Sequence, residues 1–105
     1  MFEVHIFEVS ATASAQSEGA YLPGDRHAML AFLRQPKGTE HDLASAAKGV
    51  EDAGWSDVTF ERVGTLNAES LNGKSEDFRG AFEYAMNGGC GLIIYAEPLG
   101  PESDE

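Results

Sequence analysis

The residues best suited to chemistry lie in one polar segment, where a carboxylate, a cation and an ionisable ring are adjacent. Asp25, Arg26 and His27 follow one another directly, four residues after Tyr21. In an extended segment, positions i and i+2 share a face, so Asp25 is placed to orient the ring of His27. The combination predicts a ligand-binding patch. A solvated connection without function is the alternative.

The other two histidines are dispersed along the chain. His5 follows the first apolar residues. We include it among the ligand-binding candidates, because His5 or His27 could act as a general base. His41 is expected in the first turn of a helix, with a neutral ring. One cysteine and three separated histidines lack the spacing of a zinc site, so we expect neither a metal nor another cofactor.

A glycine-rich stretch, 88–91, contains the only cysteine. Phosphate-binding loops lead from a strand into a helix N-terminus, whereas here a predicted helix precedes the glycines and a predicted strand follows them. The stretch therefore indicates a helix cap. Cys90 has no His or Lys within ten residues, which favours a structural cysteine over a nucleophile. No catalytic residue is predicted.

The net charge of the chain indicates which classes of macromolecule it can bind. Eighteen acidic residues against seven basic ones give a formal net charge of −11. We therefore expect neither nucleic acid nor an anionic membrane as a partner, since both repel such a surface. A solvated acidic surface is the simple interpretation, and docking of a basic protein is the alternative. The single cysteine and a start without a basic, apolar leader predict a cytoplasmic protein.

Hydrophobic periodicity predicts elements in the order β-β-α-β-α-β. The predicted spans are strands over 2–10, 28–34, 57–66 and 91–97, and helices over 40–53 and 76–87. A helical turn is the alternative for 28–34. Thr39 with Asp42 is the expected cap of the first helix, and Ser75 that of the second. Four successive apolar residues, 92–95, predict a central strand that is buried on both faces.

This order predicts one α+β domain over 1–98, followed by a flexible acidic tail over 99–105. Right-handed crossovers would place both helices on one face of a sheet of about four strands, as a two-layer sandwich. In size and layering the arrangement resembles a ferredoxin-like sandwich, although its order of elements differs from that fold. The other face of the sheet is then open, and Phe7 and Val9 make it partly apolar.

The open face leads to the main functional prediction. We expect a small, acidic, non-enzymatic binding domain that forms a homodimer or binds a basic protein through that face. The less favoured alternative is a small-ligand-binding protein or an enzyme. Its pocket would lie between the sheet and the 11–26 connection, with ligand-binding residues Tyr21, Asp25, Arg26, His27 and His5.

Overall fold

The computed structural model describes residues 1–15, 21–95 and 97–99. Within these residues the elements are β1 (Phe2–Ala13), β2 (Arg26–Pro36), α1 (Leu43–Asp52), β3 (Trp55–Leu66), a 3-10 helix (Ala68–Leu71), α2 (Glu76–Met86) and β4 (Cys90–Ile94). The predicted α+β class and order of strands and α-helices are confirmed. Residues 28–34, for which strand and helix were both open, belong to a strand. No described helix has the length and apolar character needed to cross a membrane.

The strands form one sheet in the order β3-β1-β2-β4, with every neighbouring pair antiparallel. The strand predicted as central, β4, therefore lies at an edge. Its apolar run reflects cover on both faces: Cys90 lies under α1, close to Gly49, and Gly91 lies under α2, close to Ala81. Apolar residues on both faces thus reported the layers above and below the strand, and not its place in the sheet.

The two α-helices lie on opposite faces of the sheet, so the predicted two-layer sandwich is wrong, and with it the ferredoxin-like layering. The core cluster under α1 contains Phe7 and Val9. The cluster under α2 contains Val4 and Phe32. Because neighbouring strand residues point to opposite faces, these two clusters lie on the two sides of the same sheet.

The error has an identifiable cause in the strand directions. The rule of right-handed crossovers applies to parallel strands. β2 and β3 are both antiparallel to β1, so α1 joins a parallel pair. β4 is antiparallel to β2 and hence to β3, so the connection through α2 joins antiparallel strands and the rule does not assign it a face.

β1 is longer than predicted and continues to Ala13, because the small residues Ala11 and Ala13 are buried within the core. The connection predicted over 11–26 is thereby reduced to 14–25, of which 16–20 lie outside the described residues. Of the predicted tail, residues 100–105 lie outside them too. Leu99 donates a backbone hydrogen bond to the carbonyl of Arg26, 2.7 Å away.

The helix starts depend on local caps. Ser75 caps α2 as predicted, its hydroxyl accepting from the backbone N–H of Phe78 at 3.2 Å. Asp42, and not Thr39, caps α1 and accepts from the N–H of Ser45 at 3.0 Å. The Thr39 hydroxyl instead donates to the carbonyl of Pro36, which closes the turn after β2.

Candidate functional site

The structure brings only two of the five candidate residues together. Tyr21 and His27 pack edge to face with ring centroids 5.0 Å apart, and both rings contact Trp55, at 5.2 and 5.6 Å. His27 is only 2% exposed. These rings fill space on the α1 side of the sheet, over the end of β1, where the sequence predicted a pocket. The ligand-binding role proposed for these residues stays a prediction.

Asp25 does not orient His27. The ring Nδ1 of His27 instead donates to the carbonyl of Tyr95 at 2.7 Å, and its buried Nε2 has no partner among the described residues. Asp25 precedes the first residue of β2, in a turn where Gly24 has a φ of 96°. The alternation of a strand therefore does not reach Asp25, and the i, i+2 argument fails there.

Arg26 lies on the opposite face of the sheet from His27, since the two are consecutive residues of β2. Its guanidinium donates to the hydroxyls of Ser10 and Thr12, each at 2.9 Å, and to the carbonyl of Asp57 at 3.0 Å. These bonds join β2 to β1 and β3. In the described part of the chain, Arg26 acts as a clamp between strands and is separated from the other candidates.

The fifth candidate, His5, belongs to a different cluster at the other end of β1. Its Nε2 lies 2.8 Å from a carboxylate oxygen of Glu3, and its Nδ1 lies 2.9 Å from Nδ1 of His41. His5 is completely buried, whereas Glu3 and His41 are half-buried. The three side chains form one hydrogen-bonded series from Glu3 through His5 to His41, here called the histidine relay.

The hydrogen-bond partner of His5 shows which of its ring nitrogens carries a proton. Hydrogen bonds from His5 and from the backbone N–H of Gly38 hold the pKa of Glu3 below its ordinary value of 4.5. An ionised carboxylate only accepts, so Nε2 of His5 carries a proton. When both rings are neutral, Nδ1 of His5 is the acceptor of the second bond and Nδ1 of His41 is its donor. In this state Nε2 of His41 is a bare acceptor.

A buried amide holds the segment that carries His41. The side chain of Gln35, at the end of β2, donates to the hydroxyl of Thr39 at 3.1 Å and to the carbonyl of Glu40 at 2.6 Å. Its oxygen accepts the backbone N–H of Asp42 at 2.8 Å. The bonds to Glu40 and Asp42 fix the backbone on both sides of His41, so the ring reaches His5 from a loop and not from a helical turn.

His41 lines a groove between the start of α1 and the edge strand β3. The groove has a volume of about 350 Å³ and is lined by Glu40, His41, Leu43, Phe60, Glu61, Arg62 and Val63. Leu43 and Val63 are each 44% exposed. The volume is within the range of small-molecule sites, and apolar walls with a few polar groups are typical of them. We call it the His41 groove.

The Nε2 of His41 is open to solvent. His27 Nε2 is the one buried polar side-chain atom without a partner in the described part of the chain, and no bond to His41 Nε2 is present there. A second depression, with a volume of about 530 Å³, also includes His41, together with Gln35 and Thr39. The ring thus stands at the surface between two concave regions.

Glu3 and His41 were missed by the sequence reasoning, although one signal was present. Glu3 and His5 are two positions apart on the first strand, which is the same-face spacing that was applied to Asp25 and His27. No comparable signal identifies His41, because its contact with His5 spans 36 residues and depends on the Gln35 bonds.

The described residues contain no group of three or more His, Cys, Asp or Glu side chains arranged to hold a metal ion. Comparison of the chain with models of protein families, with curated proteins and with solved structures finds no match. The residues of the site therefore carry the functional argument alone.

Proposed function

We propose that this chain is a small-ligand-binding protein in which Nε2 of His41 accepts a hydrogen bond, and can accept a proton, from a ligand in the His41 groove. This class is the less favoured alternative that the sequence indicated, and its pocket is placed in the groove in place of the 11–26 connection. The observation that carries it is the histidine relay, in which fully buried His5 joins ionised Glu3 to surface-lying His41.

The relay gives an accepted proton a defined path. When a ligand donates its proton to Nε2 of His41, the Nδ1 proton of His41 can pass to Nδ1 of His5, across 2.9 Å. His5 then carries the positive charge, 2.8 Å from the carboxylate of Glu3. Charge is thereby moved from the groove to a preformed ion pair, which is how a carboxylate behind a histidine supports general-base behaviour. His5 is a positioning residue, since its burial keeps it from the ligand.

A purely structural histidine pair would not need the groove beside it. A structural role is served by burying and satisfying both rings. His41 is only half-buried, its Nε2 has no partner among the described residues, and it lines a groove together with the exposed side chains of Leu43 and Val63. Exposed apolar residues that adjoin a polar acceptor are typical of binding sites. The combination of the relay and the groove therefore supports ligand binding over a packing role alone.

The main functional prediction is self-association, or binding of a basic protein, through an open face of the sheet. The face on which it depends is covered by α1. Phe7 and Val9, expected on the open face, are both 0% exposed beneath α1. The edge strand β3 also carries charged residues and shows two register shifts against β1, features that oppose pairing between edges. Partner binding stays a prediction. Light scattering across concentration tests it, a dimer supporting it and a monomer opposing it.

A probe experiment tests the proposed function. The isotope-labelled protein is titrated with benzyl alcohol, phenol and benzylamine, which have hydrogen-bond donors, and with toluene, which has none. We expect at least one donor probe to shift the Nε2 resonance of His41 together with the backbone amides of Leu43 and Val63. Toluene should leave Nε2 unmoved.

Two substitutions make the result specific. His41→Asn removes the relay's outer ring and should abolish the donor-dependent shifts, whereas His27→Asn changes a histidine outside the groove and should leave them. Folding of each variant is checked by its amide spectrum. The proposal is overturned when no donor probe shifts the groove residues, or when folded His41→Asn binds the probes as the unaltered chain does.

A further inference from the structure

Apart from Arg62, the charged and ring side chains that line the His41 groove are acceptors, and they specify the ligand's chemistry. Glu40 and Glu61 are exposed residues that line the groove, although Glu61 also lines a depression beside Glu8. When both rings of the relay are neutral, Nε2 of His41 is a bare acceptor. A ligand that satisfies these groups must supply donors and not acceptors. This inference rests on the proposed function and goes beyond it by naming the class of ligand.

The one cation that lines the groove is directed elsewhere. Arg62 faces Glu8 across the β1–β3 pair, and their side chains approach to 3.4 Å. Glu8 directly follows Phe7, which belongs to the cluster under α1, so Glu8 points to the α2 side of the sheet. The guanidinium of Arg62 is therefore drawn towards Glu8, and no ion pair among the described residues joins it to Glu40 or Glu61.

The apolar side chains that line the groove determine the hydrocarbon part of the ligand. Leu43 and Val63 expose 44% of their surface each, and Phe60, which packs edge to face on Phe7 at 6.1 Å, presents a half-buried ring. A flat or short hydrocarbon body covers such a wall, and its burial contributes roughly 25 cal/mol for each Å² of apolar surface. With a groove of about 350 Å³, one ring with a short side chain is a suitable size.

From these three observations we infer that the groove binds a small organic cation, an amine or amidine with a compact hydrocarbon body. Its N–H groups donate to Nε2 of His41 and to the carboxylates of Glu40 and Glu61, and its hydrocarbon covers Leu43 and Val63. The net charge of −11 favours the same class, because it attracts small cations and repels anions.

Three probes of the same ring size separate this inference from the function beneath it. Benzylamine, benzyl alcohol and benzoate differ in charge and are titrated at neutral pH and low salt while the amides of Leu43 and Val63 are followed. We expect benzylamine to bind at least about fivefold more tightly than benzyl alcohol, since exposed ion pairs contribute modestly. Benzoate should not bind. Raising the salt concentration should reduce the preference for the amine.

Glu61→Gln should weaken benzylamine binding by about two- to fivefold and leave benzyl alcohol binding unchanged. Glu83→Gln is the matched control, because Glu83 is an exposed residue of α2 on the opposite face of the sheet. Equal binding of the alcohol and the amine, or tighter binding of benzoate, overturns the cation inference and leaves the proposed function standing. Failure of all donor probes overturns both.

Discussion

Gly49 offers a sharp test of the layered arrangement, because α1 approaches β4 at this residue. A Cβ added to Gly49 would lie 2.5 Å from Sγ and 3.0 Å from Cβ of Cys90. The thiol has to move to relieve the first contact, and α1 has to move away from the sheet to relieve the second, so Gly49→Ala strains the packing at both atoms. We expect overpacking to cost roughly 1–3 kcal/mol. The gain in helix propensity, about 0.5–1 kcal/mol, offsets part of that cost.

Gly80 in α2 is the matched control. A Cβ there meets no atom within 4 Å, so Gly80→Ala keeps the helix gain without the clash. The two variants should differ by about 1–3 kcal/mol in free energy of unfolding, or roughly 4–12 °C in Tm for a domain of this size. Urea unfolding and thermal melting followed by circular dichroism both measure the difference.

A double-mutant cycle locates the clash. Cys90→Ala removes Sγ, so Gly49→Ala should cost less in the Cys90→Ala background, by about 1 kcal/mol. Equal stability of Gly49→Ala and Gly80→Ala, or additive costs with Cys90→Ala, would show that α1 does not lie over Cys90. The assignment of α1 and α2 to opposite faces would then be wrong.

Three further outcomes follow from the described contacts. The pKa of Glu3 is lower in the folded chain, so the stabilisation by its carboxylate is present above the unfolded pKa and is lost as pH falls through the folded pKa. The urea midpoint should therefore drop more between about pH 6 and pH 3 in the unaltered chain than in Glu3→Gln, and parallel curves for the two proteins would refute this. Burial, with a smaller effect of Asp52, raises the pKa of the Cys90 thiol, so Ellman's reagent should react more slowly with the folded chain than with the urea-unfolded chain at pH 8, and equal rates would contradict it. Ser75→Ala removes the cap of α2 and should lower stability by about 1 kcal/mol in urea unfolding, while an unchanged midpoint would exclude the cap.

Sequence reasoning succeeded where the determinants are local. The apolar spacing located α1, α2 and β3 to within a few residues, and the Ser75 cap was assigned from its position before Glu76 and Asp77. Gly54, which follows the cap residue of α1, has a φ of 100°, a left-handed conformation that glycine adopts without strain.

The layering could not be obtained in the same way, because it depends on strand directions that no local pattern encodes. Phe7 and Val9 showed that the second face of β1 is apolar, but a dimer partner and a helix cover such a face equally well. Because β3 and β4 are antiparallel, the crossover rule does not require α2 to lie on the face of the sheet that α1 covers.

One half of the candidate site, the contact between Glu3 and His5, could be predicted from the sequence. The spacing of Glu3 and His5 on a strand indicated a shared face, and the structure brings them within 2.8 Å. The other half depends on Gln35, whose side chain binds backbone groups of a following loop and so turns His41 towards His5. A long-range arrangement fixed by one buried amide leaves no periodic signal in the sequence.

The direction of the hydrogen bonds in the relay is the feature on which the functional account depends, and nitrogen NMR measures it directly. Long-range ¹H–¹⁵N correlation spectra at neutral pH report which ring nitrogens of each histidine carry a proton. The account predicts a proton on Nε2 of His5 and on Nδ1 of His41, with Nε2 of His41 bare. A proton resident on Nε2 of His41, or a His5 protonated only at Nδ1, would contradict it.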